Sequence, residues 1–92
     1  MAITLDKFRA KLIIRVLYAR SSEEAERFIK AAIRAMQRSN INVDIITGFV
    51  DRVMNQLSIH QSAKTNPIQW NNVMAAIFSL QRMRELMNIS LG

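Results

Sequence analysis

The chain has 92 residues, 50% of them hydrophobic and 22% charged, with a formal net charge of +6. That length allows one domain, and that apolar content excludes a disordered tail. With no cysteine and a single histidine, His60, the chain has no disulfide, thiolate metal site or cysteine nucleophile, and no cluster of several histidines.

A chain this short buries only about 60–65% of its unfolded surface, so its stability depends on a dense core or on a core shared between subunits. The charge is uneven: residues 1–38 hold nine of the basic residues and four of the acids. A basic half invites an anionic partner, although solubility alone explains such a charge in many small domains. Two glycines and one proline leave few interruptions, so long elements are expected. The longest unbroken apolar run, Val73 to Phe78, falls far short of the ~20 residues of a membrane-spanning helix.

Helical periodicity runs along almost the whole chain, and strand alternation is absent over any useful length. The first helix is expected over residues 5–20, with Thr4 as its N-cap. Leu5, Phe8, Leu12, Val16 and Ala19 fall on one side of it, and Ile3, Ala10, Ile13, Ile14 and Leu17 on another. Its polar stripe is narrow, Lys7, Lys11 and Arg15, while Arg9 lies inside the apolar arc. The segment also has the basic, amphipathic look of a targeting peptide. Arg15 interrupts its apolar stretch and Asp6 opposes a transit signal, so it reads as part of the fold. A helix so apolar must be central or shared with a second chain.

The second helix is expected over 22–38. Ser21 and Glu24 form a capping box, and Ala25, Phe28, Ile29, Ala32, Ile33 and Met36 form the core stripe. Glu23–Arg27 and Glu26–Lys30 have the i,i+4 spacing of helical ion pairs. A turn over 39–42 leads to a third helix over 43–58, capped by Asn42, with Val43, Ile46, Phe49, Val50, Val53, Met54 and Leu57 on one face. Gly48 sits on its polar side. After a loop from His60 to Asn66, Asn66-Pro67 opens a fourth helix over 67–88. Its main stripe is Trp70, Val73, Ile77, Leu80, Met83 and Met87, flanked by Met74 and Phe78. Together these elements predict an all-α fold, an antiparallel four-helix bundle spanning residues 1–92, with a less regular packing of four helices as the alternative.

Little catalytic chemistry is on offer. His60, the one imidazole, stands in a loop without an oxyanion-type motif, no Glu-x-x-His pair exists, and no glycine loop could cradle a phosphate. No enzyme activity, metal or cofactor is expected. The surplus apolar surface of the first helix, together with Met74 and Phe78, points to association, because exposed apolar surface marks interfaces. The expected function is a cytoplasmic, self-associating protein-interaction module, a homo-oligomer that also docks a protein partner through Ile13, Ile14, Leu17, Met74 and Phe78. The alternative is a non-specific nucleic-acid-binding protein, with Lys7, Lys11, Arg15, Arg27, Lys30, Arg34 and Arg38 tracking phosphates. Against it, no aromatic platform for base stacking stands out.

Overall fold

A computed structural model describes residues 5–60 and 64–91, with side chains as far as Met87. Four helices follow in order: α1 (Leu5–Leu17), α2 (Ser22–Arg38), α3 (Val43–Ser58) and α4 (Pro67–Leu91). There is no strand among the described residues. The fold is an all-α four-helix bundle. Each helix touches the other three, α2 against α4 most extensively. At about 1.5 Å per residue, 25-residue α4 is close to the longest dimension of the molecule, 37 Å.

The caps show why the elements begin and end where they do. Ser21 is extended (φ −153°, ψ 163°), and its Oγ accepts the Glu24 backbone N–H at 3.1 Å. The Glu24 carboxylate reaches one residue beyond the usual capping box, accepting the N–H of Arg20 at 3.2 Å. This is why α1 stops at Leu17 rather than continuing to residue 20 as expected: Arg20 and Ser21 are committed to starting α2. The expected cap Thr4 and the apolar Ile3 lie outside the described residues.

The end of α2 is a Schellman motif. Asn40 takes a left-handed conformation (φ 58°), its N–H bonds the Gln37 carbonyl at 3.1 Å, and the Ile41 N–H bonds the Met36 carbonyl at 3.2 Å. Ile41 then packs against the core. Asn42 caps α3 by accepting the Asp44 N–H at 2.7 Å. Asn66 Oδ1 accepts the N–H groups of Ile68 and Gln69 at 3.0 and 3.2 Å, ahead of Pro67 in the first turn of α4. Helix α4 runs three residues past the expected end, because nothing between Asn88 and Leu91 breaks a helix.

The core joins Leu12, Ile13, Val16 and Leu17 of α1, Ile29, Ile33 and Met36 of α2, Ile46, Phe49, Val50, Val53 and Leu57 of α3, and Val73, Ala76, Leu80 and Met87 of α4. The Phe8 and Phe49 rings meet at 5.7 Å between centroids, tilted by 36°. Two expected core positions are corrected. Trp70 is 42% exposed and Val43 39% exposed. In α4 the inward face runs through Asn72, Val73, Ala76 and Leu80, so Trp70 stands well to one side of it. Val43 is the first residue of α3, one turn before that helix reaches the core at Ile46.

Two polar contacts tie helices together from the margin of the core. Arg9, inside the apolar arc of α1, reaches Gln56 of α3 with a 2.7 Å Nε–Oε1 hydrogen bond and pairs with Asp6 at 3.2 Å. Arg84 of α4 pairs with Asp51 of α3 at 2.6 Å.

Candidate interaction surface

Steps of four residues put Lys7, Lys11 and Arg15 in one row on α1, and the spacing of Arg27, Lys30, Arg34 and Arg38 makes a similar row on α2. All seven are exposed. The rows sit on neighbouring helices, joined where the Arg15 guanidinium lies 5.8 Å from the centre of the Phe28 ring. The second row divides. Lys30 turns towards α4 and shares a groove there with Glu26, Phe78, Arg82 and Leu86. Arg27 and Arg34 flank Ala31, and Arg38 lies three residues beyond Ala35, on the side towards α1.

The expected ion pairs Glu23–Arg27 and Glu26–Lys30 are not formed. Among the described residues, Arg27, Lys30, Arg34 and Arg38 have no carboxylate within salt-bridge distance. Long exposed side chains gain little from such pairs, and holding both in one geometry costs rotamer entropy.

Between α1 and α2 runs a shallow groove of about 340 Å³. Its floor is Leu12, Phe28, Ala31, Ala32 and Ala35, Phe8 closes one end, and Lys11 and Arg15 stand on the α1 side. No carboxylate lines it. The small alanine side chains make the floor, since a larger residue at 31 or 35 would fill it. In the sequence Ala32 reads as core alone, and the i,i+4 spacing of Ala31 and Ala35 is the signal of the floor.

The apolar candidates separate. Ile13 and Leu17 are buried in the chain's own core, at 7% and 5% exposure, which corrects their assignment to a partner-facing surface. One apolar side of α1 and the Ile13–Leu17 edge of the other turn inward because α2, α3 and α4 all pack against it. Ile14 and Phe78 are exposed and Met74 is half-buried. The groove that Phe78 borders is formed by α2 and α4 alone, so Ile14 stands apart from it. Leu86, Ile68 and Tyr18 are further exposed apolar side chains that the sequence reading did not single out.

His60 follows α3, donating its backbone N–H to the Leu57 carbonyl at 3.3 Å. Among the described residues, no three His, Asp or Glu side chains converge on a point where a metal ion could sit, and no helix is long and apolar enough to cross a membrane. Compared with protein-family models, curated proteins and solved structures, the chain matches none.

Proposed function

We propose that this protein is a small, non-enzymatic interaction module that self-associates through the outer face of α4. The observation that carries the reading is the pair Phe78 and Leu86, 63% and 56% exposed, bordering one groove with Arg82 and Glu85. Large apolar side chains in a row, with charges of both signs among them, suit a symmetric contact, in which the same patch serves both subunits. Two α4 helices laid antiparallel about a two-fold axis near Arg82 would set Phe78 of each copy opposite Leu86 of the other. Arg82 of each copy would then lie within a helical turn of the other's Glu85. A dimer built this way leaves Ile13 and Leu17 where they are, in each subunit's core.

Sedimentation equilibrium at micromolar concentration tests the reading. The expected result is a particle of twice the 10.6 kDa chain mass, reduced to a monomer by Phe78→Ser combined with Leu86→Ser, with unchanged helix content. A wild-type monomer at high micromolar concentration overturns self-association.

A further inference from the structure

The α1–α2 groove joins three features that no single one of its helices provides. Its floor is apolar and, at Ala31 and Ala35, small. Its lining includes Lys11 and Arg15 on α1, and on α2 helical spacing sets the exposed Arg27, Arg34 and Arg38 next to Ala31 and Ala35, outside the lining itself. Among the described residues the lining has no acid, and the three α2 arginines have no ion pair. We propose that this groove docks an amphipathic helix from a partner protein, one that sets an apolar stripe on the alanine floor and carries acidic residues along both flanks.

The dimensions and chemistry agree. The groove spans Phe8 to Arg15 on α1 and Phe28 to Ala35 on α2, about 10 Å or two helical turns, which suits a short row of i, i+3/i+4 and i+7 anchors. Alanines let a second backbone come close, so apolar side chains of the incoming helix reach Leu12 and Phe28. Arginine meets a carboxylate through paired N–H groups in one plane, so Arg15 in the lining, with Arg27, Arg34 and Arg38 spaced beside Ala31 and Ala35, favours acidic flanks. A phosphate chain would use the cations but not the apolar floor, and this decides between an acidic helix and a nucleic acid. The inference rests on the reading of the chain as an interaction module, but not on the α4 contact. Ile14 and Tyr18, exposed on the same outer side of α1 as Lys11 and Arg15, extend the apolar surface beyond the groove.

Fluorescence anisotropy with defined probes tests it. The first probe is a synthetic helix of about 20 residues, with leucine and alanine on one face and glutamate on both flanks. The second is the same peptide with lysine in place of glutamate, and the third a single-stranded oligouridine. The acidic peptide is expected to bind at micromolar concentration, at least about tenfold tighter than either other probe, and more weakly as salt rises. Two variants divide the site. Ala31→Phe fills the exposed floor without changing charge and is expected to weaken the acidic peptide about tenfold. Lys11→Glu with Arg15→Glu and Arg34→Glu is expected to reverse the preference towards the lysine peptide. Helix content by circular dichroism checks that both variants fold.

Failure of a folded wild-type protein to bind the acidic peptide overturns the proposal. So does tighter binding of oligouridine that Ala31→Phe leaves unchanged, which would put a phosphate chain in the partner's place. Sedimentation of the same samples keeps the two readings apart. A monomer that binds the acidic peptide removes only the α4 contact, and a dimer that does not bind it removes only the groove.

Discussion

Asn72 shows how much one side chain decides. It is fully buried on α4, and its amide Nδ2 donates to the Ala19 carbonyl at 2.8 Å. That carbonyl belongs to the connection between α1 and α2, where helical bonding has ended and a buried acceptor would otherwise stay unmade. Asn72→Ala is expected to cost about 1–3 kcal/mol, because the carbonyl keeps its desolvation and loses its donor. Urea denaturation should show a lower midpoint with an unchanged slope, and an unchanged midpoint would show that the carbonyl finds another donor. Gly48 is the opposite case. It lies inside α3 with nothing within 4 Å of where a Cβ would stand. Gly48→Ala should therefore raise stability by about 0.5–1 kcal/mol, through helix propensity and a less disordered unfolded chain. A fall in melting temperature would mean the added methyl meets something.

At the scale of the element, the caps matter more than helix propensity, since they turn a nearly continuous helical pattern into four pieces. The pair Asn40 and Ile41 does this for α2, one by its left-handed backbone and the other by returning to the core. Asparagine tolerates that conformation better than most residues and glycine better still, because a Cβ crowds the neighbouring carbonyl there. Asn40→Gly should be neutral or stabilising by up to about 1 kcal/mol, whereas Asn40→Val should destabilise by about 1–2 kcal/mol. Thermal melts of the two variants check this, and equal effects would show that the backbone at residue 40 does not need φ above zero. The basic rows of α1 and α2 belong to this scale too. Their spacing makes a stripe on each helix, but it is the packing of α1 beside α2 that sets Lys11 and Arg15 along a groove whose α2 wall is Phe28, Ala31, Ala32 and Ala35.

For the whole molecule, the central fact is that α1 packs against three other helices, so Ile13 and Leu17 are taken into the core along with Leu12 and Val16. Ile13→Asp or Leu17→Asp would bury an unpaired charge and should cost roughly 3 kcal/mol or more, while Arg34→Asp on the exposed side of α2 should cost a few tenths. In a domain this small, the first class is expected to unfold at ordinary temperature. Melting temperatures that fall equally in both classes would show that the helical register described for α1 or α2 is wrong. The same packing bears on association. With Ile13 and Leu17 internal, the apolar surface left for partners includes Phe78 and Leu86 on α4, and Ile14 on α1 with Tyr18 just after it.

Four helices, the bounds of α2 and α3, and the caps at Ser21, Asn42 and Asn66 were legible from the residues, because capping and amphipathic period are local properties of a few neighbouring side chains. The exposure of the basic rows was legible for the same reason, as charges avoid a core. The exact inward face of α4 was not legible. The expected stripe of Trp70, Val73, Ile77, Leu80, Met83 and Met87 holds except at Trp70, and the inward face also takes in Asn72 and Ala76, whose polar or small side chains carry no apolar signal. The fate of Ile13, Ile14 and Leu17 was likewise undecided by pattern, since a helix apolar on two sides can meet its own chain or another. Only tertiary packing assigned Ile13 and Leu17 to the interior and Ile14 to the surface, and only tertiary packing brought Ala31, Ala35, Lys11 and Arg15 to one groove. Contact between helices depends on their relative rotation and crossing, which no single helix encodes by itself.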